Sequence, residues 1–159
     1  MVKTADLHDE FGTELTLCTV SFRSYGKHKE FSGPIQTVRV LEDNALVRES
    51  LETIPEGSVL VVDGGGSTRC ALLGDQLGAI AESRRLAGII IHGCIRDSAD
   101  LALLEVGILA IGTNPIRSKK EGKGERDVQL HFGEVNWIPG HFVYADEDGV
   151  LTANRNILA

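Results

Sequence analysis

The chain is short of cationic side chains, cysteine and proline, and has no long apolar run; each shortage removes a class of protein. Sixteen Lys and Arg face 23 Asp and Glu, for a formal net charge of −7. Neutralising a nucleic-acid backbone needs a cationic field that this chain does not have to spare, so no nucleic-acid partner is expected. Nowhere does it approach the roughly 18 consecutive apolar residues a membrane span requires. The opening MVKTADLHDEFG carries acids instead of an apolar leader, so a cytoplasmic protein with no membrane partner is expected. Cys18, Cys70 and Cys94 are an odd set without C-x-x-C spacing, which suggests neither a disulfide framework nor a thiolate zinc site. They read as packing residues of a reduced compartment. With no Pro-rich linker, repeat or low-complexity tract, residues 1–159 read as a single domain.

What is present is a strand and helix pattern. Thr4 is placed to cap a helix through Phe11, IQTVRVL (35–41) alternates as a strand, and EDN leads into a helical NALVRESLET (44–53). SVLVVD (58–63) and AGIIIHG (87–93) are short continuous apolar runs of the kind that form strands covered on both faces. Between them, GDQLGAIAESRRL (74–86) follows helical spacing, with Leu73, Leu77, Ile80 and Ala81 on one side. Strand, helix, strand predicts a crossover unit with parallel neighbours. SADLALLE (98–105) predicts a further helix and GILAIG (107–112) a further strand, after which residues 131–155 read as short strands with Asp148-Gly149 as a tight hairpin. The expected fold class is α/β with a mixed sheet and a β-rich C-terminal part. So short a chain has few ways to enclose a substrate, which favours a site completed by a neighbouring subunit.

Gly64-Gly65-Gly66 follows a predicted strand but lacks the G-x-G-x-x-G spacing of a dinucleotide fingerprint, and Ser67-Thr68 lacks the Lys of a phosphate loop. A turn where only glycine tolerates the backbone is the first reading, and a floor beneath a small ligand the second. Chemistry is better placed at Asp75, Arg96 and Asp97. Gly74-Asp75-Gln76-Leu77 opens a helix, so the N–H groups of Gln76 and Leu77 face a carboxylate-sized anion. Arg96 and Asp97 follow the strand 87–93, where ligands of open α/β sheets gather. Arg96 suits a carbonyl or enolate oxygen, and Asp97 a hard cation such as Mg²⁺ or Mn²⁺. The plainer alternative is an N-cap with a surface ion pair. RSKKEGKGERD, with Arg117, Lys119, Lys120, Lys123 and Arg126, is either a solvated loop or a basic rim drawing a small polyanion. His92 reads as packing rather than a ligand, and Trp137 and Phe142 as core or subunit contact.

FSGPIQTVRVLEDNALV, VLVVDGGGSTRCALLGDQLGAIA, GIIIHGCIRD, GTNPIRSKKEGKGERD and YADEDGVL resemble, in order and over nearly the whole chain, landmarks of a known family. It contains the regulator of ribonuclease E activity A and the class II 4-hydroxy-4-methyl-2-oxoglutarate aldolases. The resemblance implies a three-layer swivelling β/β/α domain in a ring-shaped homotrimer, with a divalent metal, Mg²⁺ or Mn²⁺, and a small keto-acid substrate. It implies that residues Gly74, Asp75, Gln76 and Leu77 bind the substrate carboxylate, Arg96 the keto oxygen and Asp97 the metal, with Asp75 orienting water there. Cleavage through a pyruvate enolate is expected, and with it a secondary oxaloacetate decarboxylase activity. Glu121 and Glu125 are candidates for the C4-hydroxyl proton and Lys119 or Lys120 for a second carboxylate; Asp100, three residues after Asp97, reads first as solvent-facing and second as a support for Asp97. The alternative role is a non-enzymatic regulator that binds ribonuclease E, to which an acidic surface is suited. A quinone methyltransferase, a further label for this family, finds no fingerprint beyond the glycines.

Overall fold

The two continuous apolar runs lie at the centre of a sheet. The structure, a computed structural model, describes residues 2–159. In chain order, α1 (Thr4–Phe11), a 3₁₀ turn (Gly12–Glu14), β1 (Thr16–Leu17) and β2 (Arg23–Ser24) precede the α/β half. That half comprises β3 (Phe31–Arg39), α2 (Ala45–Thr53), β4 (Val59–Asp63), β5 (Ala71–Leu73), α3 (Asp75–Ser83), β6 (Gly88–Ile95), α4 (Ser98–Leu101) and β7 (Gly107–Thr113). The β-rich part follows as β8 (Glu125–Arg126), β9 (Leu130–Phe132), β10 (Val135–Trp137), β11 (Phe142–Ala145) and β12 (Val150–Ala153).

Ten strands form one mixed sheet in the order β1-β12-β11-β3-β4-β6-β7-β2, with β5 added beside β6 and β8 beside β3. The neighbours β3, β4, β6 and β7 run parallel. Successive side chains of a strand point to opposite faces, and both faces are covered. Leu60, Val62, Ile89 and Ile91 pack with Leu51, Leu77 and Leu101 of the helices, while Val59, Val61 and Ile90 pack with Leu130, Trp137 and Val143 of the β-rich part. That explains why the runs are continuous instead of alternating. Each such side chain, fully removed from water, contributes about 1.5–3 kcal/mol.

Several expectations are corrected. The strand expected at 35–41 runs from Phe31 to Arg39, because its first half pairs antiparallel with β11 before the second half joins β4. Leu73 belongs to β5 and not to the helix, which begins at Asp75. The helix expected over 98–105 stops at Leu101, where Leu104 N–H turns back to the Leu101 carbonyl and Glu105 N–H donates to the Glu82 carboxylate at 2.6 Å. Thr4 does not cap α1; its N–H and hydroxyl donate to the Asp146 carboxylate at 2.8 and 2.7 Å. Asp148-Gly149 lies within a four-residue loop between the paired Ala145 and Val150. The loop is organised by Asp146, which accepts from the N–H groups of Asp148 and Gly149. All three cysteines are buried free thiols, and burial pushes each thiol above its ordinary range. Among the described residues no helix is long and apolar enough to cross a membrane.

Candidate active site

β6 changes partner along its length. Its first half pairs with β4 as far as Asp63 opposite His92; a register irregularity follows between Ile91 and Cys94. The second half pairs with β5, with Leu73 opposite Ile95. The three glycines make this exchange possible. Gly64 and Gly66 N–H both donate to the His92 carbonyl, at 3.1 and 3.0 Å, and Gly65 N–H donates to Asp63 Oδ1 at 2.9 Å. Gly65 and Gly66 have φ of +66° and +72°, and a Cβ on Gly64 would sit 2.6 Å from Leu72 Cδ1. The glycine stretch is therefore a packing turn whose amides are spent inside the protein.

Because β5 and β6 end in register, the residues that follow them leave the sheet side by side. Arg96 N–H donates to the Leu73 carbonyl at 2.9 Å, closing the sequence gap between Gly74-Asp75 and Arg96-Asp97. Asp97 has φ +56° and ψ +40°, a left-handed conformation that Asp tolerates better than most residues. It occupies the N-cap position of α4 without capping it. Its Oδ2 instead accepts the Asp75 N–H, the first of α3, at 3.0 Å. Gly74 is required by that approach: its own backbone is extended, but a Cβ there would lie 2.7 Å from Asp97 Oδ2 and 3.3 Å from Arg96 Cγ.

Gly74, Asp75, Gln76, Leu77, Arg96 and Asp97 all line one cavity of about 390 Å³. The first-turn N–H groups of Gln76 and Leu77 have no intrahelical acceptor and sit at the positive end of the nine-residue α3. Facing them, the start of α2 contributes Asn44 and Arg48, and the loop after β7 contributes Arg117, Ser118 and Lys120. Four cations, Arg48, Arg96, Arg117 and Lys120, thus oppose two carboxylates, Asp75 and Asp97, in an acidic protein. Among the described residues Arg96 forms no salt bridge. The arrangement can receive a small molecule bearing more than one negative charge.

No group of three or more His, Cys, Asp or Glu side chains is assembled for a metal among the described residues. What the cavity offers is oxygen: Asp97, exposed and with one oxygen committed to Asp75 N–H, and the exposed Asp75 carboxylate. A hard cation that retains most of its waters fits this set, and zinc, which favours nitrogen and sulfur, does not.

Other sequence candidates lie elsewhere. His92 stacks on Phe132 with ring centroids 4.7 Å apart, and its Nδ1 lies 3.8 Å from Asp63 Oδ1, beyond hydrogen-bond distance. Burial pushes the Asp63 carboxyl up, but His92 and the Gly65 N–H outweigh it and hold the group below its ordinary range. Glu121 pairs with Lys123, Glu125 pairs with Arg39, and neither lines the cavity. Asp100 is exposed outside it, and Lys120 lines it where Lys119 does not. Trp137 is fully buried, its indole N–H donating to the Phe132 carbonyl, so it is core; Phe142 is half-buried against Tyr144 and Leu7. Sequence reasoning missed Asn44, Arg48 and Ser118. Only the placement of α2 and of the loop after β7 around the ends of the parallel strands shows that they face this space.

Comparison with known proteins gives three kinds of likeness. A family described as RraA-like, Aldolase/RraA, matches residues 4–152. A Bacillus anthracis protein called "Putative 4-hydroxy-4-methyl-2-oxoglutarate aldolase" is 59% identical over 157 residues, covering 99% of each chain. A solved structure called S-adenosylmethionine: 2-dimethylmenaquinone methyltransferase, from Geobacillus kaustophilus, superposes with a TM-score of 0.97 at 63% identity, covering 98% of this chain and 97% of that one. The RNA-processing inhibitor RraA from Thermus thermophilis superposes with a TM-score of 0.94 at 44% identity, covering 98% and 94%.

Proposed function

We propose that this chain, which belongs to the RraA-like Aldolase/RraA family, is a lyase cleaving 4-hydroxy-4-methyl-2-oxoglutarate to two pyruvates. The observation that carries the reading is the register of Leu73 beside Ile95, which sets Arg96 and Asp97 against the opening turn of α3 inside a cationic cavity. The name of the Bacillus anthracis relative supports the substrate. The methyltransferase name on the Geobacillus structure finds less support in the site, because the glycine amides that would meet a nucleoside-like ligand are already bonded to His92 and Asp63.

The chain's own residues divide the work. The N–H groups of Gln76 and Leu77 receive the substrate's C1 carboxylate, as a helix N-terminus receives an anion. Arg96 donates to the C2 keto oxygen, where negative charge develops as the C3–C4 bond breaks and pyruvate enolate forms. The free oxygen of Asp97 would hold Mg²⁺ or Mn²⁺, which when bound withdraws electron density from the keto acid. Asp75 holds water near the enolate carbon, and that water delivers the proton that makes the methyl group of pyruvate. Cations of the opposite wall, Arg48, Arg117 and Lys120, face the second carboxylate. Oxaloacetate loses carbon dioxide through the same enolate, so a secondary decarboxylase activity belongs to the same machinery.

Among the described residues no acid other than Asp75 and Asp97 lines the cavity, so the acceptor of the C4-hydroxyl proton is assigned to a neighbouring subunit of a ring-shaped homotrimer of three-layer swivelling domains. A second role, docking on a basic region of ribonuclease E, is supported by the acidic composition and by the likeness to the RNA-processing inhibitor; it is compatible with the first.

The test is pyruvate release by purified protein with Mg²⁺ or Mn²⁺, from 4-hydroxy-4-methyl-2-oxoglutarate and from oxaloacetate. A chelator should stop both reactions, and Arg96→Ala and Asp97→Ala should each lose at least about a hundredfold in kcat. Wild-type turnover in both variants would refute the assignment.

A further inference from the structure

The loop that carries Arg117, Ser118 and Lys120 to the cavity has almost no apolar anchorage. Between residues 117 and 125 only Ser118 is buried. Its first residue is pinned to β5, where Ala71 bridges Arg117 and donates its N–H to the Ile116 carbonyl at 2.7 Å; what fixes the loop beyond Lys120 is one carboxylate from a different element. Asp43, just before α2, is only 2% exposed. It accepts four backbone N–H groups: Ala45 at 3.1 Å and Gly122 at 3.3 Å on Oδ1, and Glu121 at 2.8 Å and Lys123 at 3.4 Å on Oδ2. Around it the backbones of 42–44 and 119 are laced together, Asn44 N–H to the Lys119 carbonyl and Lys119 N–H to the Glu42 carbonyl, each at 3.0 Å. The same carboxylate therefore grips the first turn of α2, which presents Arg48, and the stretch of loop directly after Lys120.

We infer that Asp43 is a positioning residue for substrate: it sets the two halves of the cationic wall opposite α3, and so governs affinity for the substrate's second carboxylate. The inference rests on the keto-acid reading of the cavity. A buried carboxylate satisfied by four N–H donors cannot be replaced by any neutral side chain of its size. Asn keeps the shape, but whichever way its amide is turned, two N–H groups of the loop or of α2 face an NH₂ instead of an oxygen. The wall then loosens while the opening of α3, Arg96 and Asp97, held by β5 and β6, stays in place. A purely structural role would lower stability without this directional effect.

A double-substitution cycle on the full chain tests it. Lys120→Ala alone should raise KM for 4-hydroxy-4-methyl-2-oxoglutarate about tenfold, the scale of one lost charge-assisted hydrogen bond. Asp43→Asn should also raise KM about tenfold with kcat within about threefold. In the Asp43→Asn background, Lys120→Ala should add less than about twofold, because that part of the wall is already displaced. Multiplicative losses would overturn the inference. If Asp43→Asn does not fold, hydrogen exchange on the wild type decides: the amides of exposed Glu121, Gly122 and Lys123 should exchange at least about a hundredfold more slowly than other exposed loop amides. Unprotected amides there would equally overturn it. Should the wild type release no pyruvate, the keto-acid reading and the affinity claim resting on it both fall, whereas slow exchange at these amides would show the loop clamp itself intact.

Discussion

Gly74→Ala adds one methyl group at the point where the two halves of the site meet. The backbone at Gly74, φ −133° and ψ −166°, is extended and open to alanine, so the fold itself has no reason to reject the change. The new Cβ would lie 2.7 Å from Asp97 Oδ2, 3.3 Å from Arg96 Cγ and 3.4 Å from Arg96 Nε. An ordinary carbon–oxygen contact is longer by about half an ångström, so the carboxylate must swing away and release the Asp75 N–H it accepts at 3.0 Å. A hydrogen bond to a charged group contributes about 1.5–3 kcal/mol, and a misplacement of about 1 Å costs on the order of a hundredfold in rate. A hundredfold loss is about 2.7 kcal/mol of transition-state stabilisation, so the two routes agree. The expected outcome is kcat/KM for pyruvate release lowered about a hundredfold, with the thermal midpoint within a few degrees of wild type because Asp75 and Asp97 are exposed. A variant with wild-type kcat/KM would refute the claim that Asp97 must sit against α3.

Acid stability follows from Asp43, Asp63 and Asp146, in each of which burial pushes the carboxyl up but hydrogen bonds, with His92 for Asp63, outweigh it and hold the group below its ordinary range. Their folded values lie below the unfolded value of about 3.9, so the stability they contribute is complete above that value and is lost as pH falls through the folded values. Urea midpoints should be level from about pH 7 to 5 and fall below about pH 4; Asp146→Asn should flatten that fall, and an unaltered slope would count against the assignment. Cys18, Cys70 and Cys94 are buried with their thiols pushed up by burial, so a thiol reagent should label the native protein far more slowly than the urea-unfolded chain; rapid stoichiometric labelling would show the burial to be wrong.

Local chemistry made much of the fold legible. Apolar runs of strand length at 58–63 and 87–93, with a helical pattern between them, lead to a parallel crossover because few other arrangements bury such runs on both faces. The helix opening at Asp75 is readable for the same reason, and with it the expectation of an anion in front of Gln76 and Leu77. Periodicity could not place Leu73, which fits the apolar face of a helix as well as a three-residue strand; only pairing with β6 decides it. It also could not shorten α4, whose end depends on Glu82 reaching across from α3 to the Glu105 N–H.

Residue types and their order thus determined the layers and the strand cores, and pointed to Asp75, Arg96 and Asp97 as the candidate set. Tertiary structure alone decided that Asp97 turns away from its own helix to α3, that Gly74 is the residue permitting it, and that Asp43 ties the loop beside Lys120 to α2. The physical reason is that each of these is a contact between groups more than 20 residues apart. Chain neighbours bias local conformation, but which distant donor meets a carboxylate is set by strand register and close packing.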